Sequence, residues 1–168
     1  MCVRLIILAG ISLESLCHRV MVSKSNNICV IGGSGFIGSR LVKKLDEAKT
    51  AFSIFDLNPS PVFEEKTVIG DITKPETLEN ELHEGDVLVH LAAVHRDDVR
   101  PKSLYDDVNI EGTRNICDIA RKKNIQKIVF TSSVAVYGFA PAGTDEKGEI
   151  NYFNDYGRTK WEAEKVLR

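Results

Sequence analysis

Three glycines, Gly32, Gly35 and Gly38, stand between a β-like apolar run and a helical pattern in "ICVIGGSGFIGSRLV". A strand, a tight turn and a helix start in this order let the backbone approach a pyrophosphate closely, and the free N–H groups of the helix attract its charge. A glycine triplet alone is weak evidence, since an ordinary glycine-rich loop has the same composition. Asp56 strengthens it, because it lies 18 residues after Gly38 at the end of the next predicted strand, where a carboxylate can accept hydrogen bonds from a ribose 2′-hydroxyl.

The acid at position 56 also selects between the two nicotinamide dinucleotides. A carboxylate would repel the extra phosphate of NADP, and the following "DLNPSP" offers no arginine to hold one. We therefore predict NAD as the cofactor, with Phe36 and Ile37 of the glycine loop among its contacts.

From Asn27 onward, short β-rich apolar runs alternate with longer helical patterns, which is typical of βαβ units. The expected fold is α/β, a Rossmann-like doubly wound parallel sheet with helices on both faces. The predicted strands are Ile28 to Ile31, Ala51 to Phe55, Lys66 to Ile69, Asp86 to Ala92 and Lys127 to Ser132. A long helix is expected after Pro101, ending near Asn124.

Length and composition fit one globular domain, with 168 residues of which 43% are hydrophobic and 27% charged. The 22 basic and 24 acidic residues are mixed along the chain, so a nucleic-acid partner is not expected. The four cysteines lack metal-ligand spacing, so we expect no metal site and a reducing, cytoplasmic location.

Residues 1–26 are interpreted as an extra N-terminal segment. The apolar run from Leu5 to Ile11 is far shorter than the roughly 20 residues that span a bilayer, so no membrane association is expected. A signal peptide is disfavoured, because the segment has one early charge and large residues where small ones should precede cleavage. We hypothesise that the native start is Met21.

Tyr156 and Lys160 are four residues apart in "YGRTKWEAEKVLR". An exposed pair on a helix is the simple interpretation. The chemical one is that the Lys160 ammonium lowers the pKa of the Tyr156 phenol, which then exchanges a proton with a substrate hydroxyl while hydride moves to or from a nicotinamide. "IVFTSSVAVYG" supplies hydroxyl donors, Ser132 and Ser133 among them, at a strand end where ligands of such sheets bind.

Taken together, these motifs resemble an extended short-chain dehydrogenase/reductase of the NAD-dependent epimerase/dehydratase family that acts on nucleotide sugars. The resemblance runs from Asn27 to Arg168. It rests on the glycine loop, Asp56, "GDI" with Asp71, "LAA", "NIEGT", "TSSVAVYG" and "YGRTK", which agree in order and spacing.

The resemblance implies a role for further residues. Tyr156, Lys160 and Ser133 would be catalytic, with Ser132 the neighbouring candidate, and Lys160 would also bond the nicotinamide ribose. Asn109 would be structural or on the cofactor side. The remaining implied contacts of NAD are Asp71 and Ile72 at the adenine, and Leu91, Ala92 and Ala93 along the cofactor channel.

Two histidines near the expected site are given no catalytic role. His90 lies within an apolar strand and is expected to be a core residue. His95 begins "HRDD", which follows the fourth strand near the expected site. The sequence is compatible with a substrate contact and at least equally with a solvated loop, so this segment is left out of the catalytic set.

Family members continue beyond the Tyr-Lys helix, with further strands and a smaller C-terminal domain that binds the sugar nucleotide. Residues 27–168 are therefore expected to be an NAD-binding Rossmann domain, truncated before its last strands and the substrate domain. The expected activity is NAD-dependent epimerase or dehydratase chemistry on a nucleotide sugar, in a possible homodimer. The alternatives are a non-catalytic NAD-binding fragment and a steroid- or flavonoid-type alcohol dehydrogenase of the same superfamily.

Overall fold

A parallel sheet forms the centre of the molecule. The computed structural model describes the strand Arg4–Leu8 and residues 27–168. The described strands are β1 (Arg4–Leu8), β2 (Ile28–Ile31), β3 (Phe52–Asp56), β4 (Thr67–Ile69), β5 (Val87–His90) and β6 (Lys127–Thr131). They are arranged in the order β1-β6-β5-β2-β3-β4, and every neighbouring pair is parallel.

Helices cover both faces of this sheet. The α-helices within residues 27–168 are α1 (Phe36–Glu47), α2 (Pro75–Glu81), α3 (Gly112–Lys122) and α4 (Asp155–Leu167). Successive residues of β2 point to opposite faces. Val30 packs with Leu41 of α1 in one core cluster, whereas Ile31 packs with Ile116 of α3 in the other.

The predicted doubly wound α/β fold is confirmed. All five predicted strands are present, and their observed ends differ from the predicted ones by at most two residues. The largest difference is at β5, which ends at His90 rather than Ala92. There the chain leaves the sheet, because the N–H groups of Leu91 and Ala92 both bond the carbonyl of Ile31.

The predicted helix after Pro101 is present, but its first part is wider than an α-helix. Tyr105–Glu111 has π-helical geometry and continues directly into α3. Gly112 lies at the junction, where an added Cβ would approach Ile72 Cδ1 to 2.6 Å. Asn124 has the expected left-handed backbone, with φ of 58°, and ends the helix.

The strand β1 was not predicted. Its parallel register with β6 pairs Arg4 with Lys127 and Leu8 with Thr131, so part of the expected extra segment belongs to the sheet. The hypothesis that the chain starts at Met21 lies outside the described residues, as do Cys2 and Cys17. In the described part of the chain, no helix is long and apolar enough to cross a membrane.

Candidate active site

A cleft of about 760 Å³ opens at the carboxyl ends of the parallel strands. This is the edge at which open α/β sheets bind ligands. Asp56 lines the cleft at the end of β3, whereas Tyr156 and Lys160 line it from α4, whose Lys160 contacts β6 on the other side of β2 and β5. The other predicted residues that line it are Gly32, Gly35, Phe36, Ile37, Gly38, Asp71, Ile72, Leu91, Ala92 and Ala93.

The glycine loop needs glycine at its first and last positions for different reasons. Gly32 has φ of +85°, and a Cβ there would lie 2.6 Å from the Ala92 nitrogen. At Gly38 a Cβ would lie 2.5 Å from the Gly32 oxygen. Gly35 is less confined, since its nearest neighbour would be 3.5 Å away. The loop leads into α1 at Phe36, so free N–H groups at a helix start face the cleft and suit a pyrophosphate.

Asp56 is fixed at the end of β3 by backbone donors. The Ser34 N–H donates to its Oδ2 over 3.0 Å, and the Asn58 N–H donates to its Oδ1 over 3.1 Å. The Ser34 hydroxyl donates to the Asn58 carbonyl over 2.7 Å, which closes a small ring of contacts. The carboxylate thus faces the cleft with lone pairs left for ribose hydroxyls. Ser34 and Asn58 were not predicted, because no spacing rule marks them.

The residues expected near the adenine lie on the same side of the cleft as Asp56. Asp71 accepts hydrogen bonds from the N–H and the hydroxyl of Thr73 at 2.9 and 2.8 Å. Ile72 is 6% exposed and packs in the core. Both residues line the cleft, and their contact with an adenine stays a prediction.

The start of α4 brings Tyr156 close to the turn that follows β6. Asn154 caps the helix by accepting a hydrogen bond from the Gly157 N–H over 2.8 Å. A Cβ on Gly157 would lie 2.4 Å from the Ala135 carbonyl oxygen, so the helix and the turn are in close contact. The Ser133 hydroxyl accepts from the Ala135 N–H over 3.1 Å, and this holds its oxygen beside the tyrosine.

Lys160 is almost completely buried, with 2% of its surface exposed. Its Nζ lies 3.9 Å from the centre of the Phe130 ring. Burial lowers the pKa of the amine to about 7, and the nearby Glu164 carboxylate acts in the opposite direction. Burial thus favours the neutral form of the amine, and the Glu164 carboxylate favours the charged form.

The expected effect of Lys160 on Tyr156 is absent from the described contacts. Burial raises the pKa of the Tyr156 phenol, and the Ser133 hydroxyl is the group that opposes this rise. The prediction of a lowered pKa was wrong for this state of the protein, because burial cannot be recognised from the spacing of two residues.

The two candidate serines point in different directions. The Ser132 hydroxyl donates to Glu164 Oε1 over 2.5 Å, whereas Ser133 is the hydroxyl that influences Tyr156. Ser132 lines the cleft, whereas Ser133 is not among its lining residues, so the assignment of Ser133 as the hydroxyl donor stays a prediction.

Asn109 has the structural position that was expected. It is 2% exposed, and its amide exchanges two hydrogen bonds with the backbone of Val94, at 2.7 and 2.9 Å. It also donates to the Thr159 hydroxyl over 2.9 Å. Asn109 therefore ties the loop after β5 to the helix that bears Tyr156.

His90 and His95 occupy different environments. His90 is buried as expected, and its Nε2 lies 3.0 Å from the Thr113 hydroxyl, but its Nδ1 has no hydrogen-bond partner among the described residues. His95 lines the cleft, close to the site as expected. Within residues 27–168, no group of three His, Cys, Asp or Glu side chains is placed to hold a metal ion.

A model of the "NAD dependent epimerase/dehydratase family" matches residues 28–168. This range contains the glycine loop, Asp56 and the whole of α4.

Relatives of known activity match over the same region. An N-acetyl-α-D-glucosaminyl-diphospho-ditrans,octacis-undecaprenol 4-epimerase of Escherichia coli O157:H7 is 46% identical over 146 residues, which are 86% of this chain and 43% of that protein. A decarboxylating sterol-4-α-carboxylate 3-dehydrogenase of Saccharomyces cerevisiae is 34% identical over 68% of this chain and 36% of that protein.

Solved structures share the fold. The crystal structure of UDP-glucose 4-epimerase from Brucella ovis in complex with NAD superposes with a TM-score of 0.77 at 32% sequence identity. The match covers 85% of this chain and 47% of that one. The chain thus spans about half the length, or less, of the relatives it matches.

Proposed function

The chain belongs to the NAD-dependent epimerase/dehydratase family, and from this premise we propose that residues 27–168 bind NAD and bear the catalytic groups for hydride transfer at a sugar carbon. The family and its cofactor NAD, both expected from the motifs, are confirmed. The assignment of individual residues and of the substrate is the proposal.

One observation supports this proposal most directly. A single cleft is lined by Asp56 at the end of β3, by the glycine loop after β2, and by Tyr156 and Lys160 of α4, which contacts β6. An extended dinucleotide has the same order of parts, a ribose with adenine, a pyrophosphate and a nicotinamide riboside. The cleft therefore suits NAD bound with its reactive ring beside the tyrosine.

When bound, NAD accepts and returns a hydride. In our proposal, Tyr156 exchanges a proton with the substrate hydroxyl. Its phenol is in the first turn of α4, close to the turn that follows β6. Ser133 donates a hydrogen bond to the same substrate oxygen and orients it. Lys160, in its ammonium form, donates to the ribose hydroxyls of the nicotinamide half.

The proposed substrate is a sugar joined to a diphosphate. UDP-glucose 4-epimerase acts on a nucleotide sugar, and the 46% identical relative is a 4-epimerase of a sugar diphosphate joined to undecaprenol. A nucleotide sugar is our first candidate, and this relative supports a lipid-linked sugar diphosphate as the second. We further propose a homodimer and a cytoplasmic location, as expected from the resemblance and the cysteine pattern.

Calorimetric titration of NAD into the purified chain is the first test. We expect saturable binding that weakens at least tenfold in Asp56→Ala, because a hydrogen bond to a charged group contributes about 1.5–3 kcal/mol. Asp118→Ala is the matched control, since Asp118 is an exposed acid on α3 that pairs with Arg121. Equal affinity of the Asp56 variant and the native chain would exclude Asp56 as the ribose acid.

Turnover tests the catalytic half of the proposal. UDP-N-acetylglucosamine and its polyprenyl-diphosphate counterpart are offered with NAD, and the 4-epimer is measured. We expect Tyr156→Phe to abolish epimerisation while NAD binding persists. Binding without turnover of either substrate by the native chain would favour the non-catalytic alternative, and oxidation of a 3β-hydroxysterol would favour the sterol-type alternative.

A further inference from the structure

Glu164 is a buried carboxylate behind the candidate site, and the proposed function gives it no role. It is 5% exposed. Tyr156, Lys160 and Glu164 follow one another at intervals of four residues along α4, so their side chains lie along the same side of the helix. A buried charge is costly unless other groups compensate for it, which raises the question of what Glu164 stabilises.

Both oxygens of this carboxylate have a partner. The Ser132 hydroxyl donates to Oε1 over 2.5 Å, and Arg168 Nη2 lies 3.1 Å from Oε2. Ser132 lines the cleft at the end of β6. These two contacts fix the carboxylate, and they leave Lys160 outside the direct ion pairs formed by the described residues.

Glu164 nevertheless acts on Lys160 through space. Residues at i and i+4 of a helix have Cβ atoms about 5–6 Å apart, and both side chains are removed from water. Charges interact more strongly in such a medium than in bulk water. The carboxylate raises the pKa of the Lys160 amine and so opposes the effect of burial.

The other titratable groups around Lys160 do not replace this effect. His90 approaches from β5, and burial lowers its pKa to about 3, so it is neutral near pH 7. Burial raises the pKa of the Tyr156 phenol, which is neutral as well. Arg168 is positive and lies beyond Glu164. The carboxylate is therefore the negative group among those that face the Lys160 amine.

We propose that Glu164 is a positioning residue of this site, whose carboxylate, fixed by Ser132 and Arg168, keeps Lys160 in the charged form that bonds the nicotinamide ribose. The inference rests on the proposed function, because the value of a charged Lys160 lies in holding NAD. Its effect on the lysine itself is independent of any ligand.

The first experiment follows the lysine directly and contains no NAD. The chain is labelled with ¹³C-lysine, and the Cε resonance of Lys160 is titrated by NMR and assigned with Lys160→Met. In Glu164→Gln, which keeps the size of the side chain, we expect the midpoint to move downward by about 1 pH unit. The control is Glu162→Gln, which removes a charge of the same sign from a partly exposed pair with Lys165 on the same helix. An unmoved midpoint in Glu164→Gln would overturn the proposal.

A second variant keeps the test available if Glu164→Gln does not fold. Arg168→Gln changes a side chain that is 56% exposed, so the fold should tolerate it. The Ser132 hydroxyl still holds Glu164 Oε1 in this variant. Because a positive charge beside the carboxylate is removed, we expect the Lys160 midpoint to rise. A midpoint that stays or falls would contradict the proposal.

NAD affinity distinguishes a charge effect from a structural one. All chains carry His95→Asn, so that the imidazole lining the cleft does not contribute to the pH dependence. If only charged Lys160 binds, the shift expected for Glu164→Gln weakens NAD about fivefold at pH 7 and less than twofold at pH 6. The same loss at both values would show a structural role and overturn the proposal. If the native chain binds no NAD but the NMR shift is present, the proposed function fails and the effect of Glu164 stands.

Discussion

The Nζ of Lys160 lies over the ring of Phe130, 3.9 Å from its centre. The ring belongs to β6 and offers a cation–π contact to the charged amine, but it replaces little of the hydration that the amine loses on burial. The pKa of about 7 reflects this loss. The residue proposed to hold the cofactor is therefore a source of instability in the protein without its ligand.

Replacement of Lys160 should stabilise the fold. The pKa of the amine is about 7 in the folded chain, against an ordinary 10.5, so folding at pH 7 requires the loss of part of its charge. We expect Lys160→Met to raise the free energy of unfolding by on the order of 3 kcal/mol at pH 7, measured in urea. Lys165→Met, on an exposed part of the same helix, is the control. A less stable Lys160→Met chain would argue against an energetic cost at this position.

Stability should also fall in acid because of His90. Burial lowers its pKa from 6.5 to about 3, so the unfolded chain binds the extra proton between these values. The free energy of unfolding is unaffected by His90 protonation above pH 6.5. Below this value it falls by about 1.4 kcal/mol per pH unit until pH 3 is reached. His90→Gln, which can still bond Thr113, should reduce this slope in urea unfolding measured from pH 4 to 6.5. The same slope in both chains would assign the acid sensitivity to other groups.

The two glycines Gly35 and Gly38 should respond differently to alanine. A Cβ at Gly38 would meet backbone atoms of Gly32 and Gly33 at 2.5 Å, so Gly38→Ala should lower stability by about 3 kcal/mol. At Gly35 the nearest atom is 3.5 Å away. Gly35→Ala should keep the melting temperature but weaken NAD more than tenfold, because the backbone there must approach the pyrophosphate. Thermal unfolding and calorimetry on the same samples separate the two effects.

Loss of the Asn109 amide should loosen the connection between the loop after β5 and α4. In Asn109→Ala the Val94 N–H and the buried Thr159 hydroxyl each lose a hydrogen-bond partner. We therefore expect the free energy of unfolding to fall by about 3 kcal/mol. Asn115→Ala is the control, since it removes one bond, to the Ile72 carbonyl, and should cost about 1 kcal/mol. Equal decreases in the free energy of unfolding, measured in urea, would mean that the hydrogen bonds of Asn109 stabilise the fold no more than the single bond of Asn115.

The main elements of this fold were predictable because their signals are local. The strand from Ile28 to Ile31, the glycine loop and the stop at Asn124 each depend on residues close in sequence. The position of Asp56 was predictable too, since a parallel sheet brings the ends of neighbouring strands to the same edge. The strand Arg4–Leu8 was missed because its partner β6 lies more than a hundred residues away.

The electrostatics of the site could not be predicted in the same way. The spacing of Tyr156 and Lys160 shows that they share a helix face, but not how far each is removed from water. Glu164 resembled any other charged residue of a helix, since nothing in the sequence shows that its carboxylate turns inward to Ser132. Burial and orientation are properties of the packed chain, and they decide the pKa of each group.

The ring of contacts around Asp56 has a consequence for the thermodynamics of recognition. Its carboxylate is immobilised by the N–H groups of Ser34 and Asn58, so the rotamer freedom of the side chain is given up when the protein folds rather than when a ribose arrives. A ligand that meets this carboxylate pays little conformational entropy for the acceptor itself. If Asp56 is the ribose acid, as we propose, selectivity for the ribose hydroxyls rests on a preorganised acceptor in the turn after β3, whose orientation does not depend on the ligand.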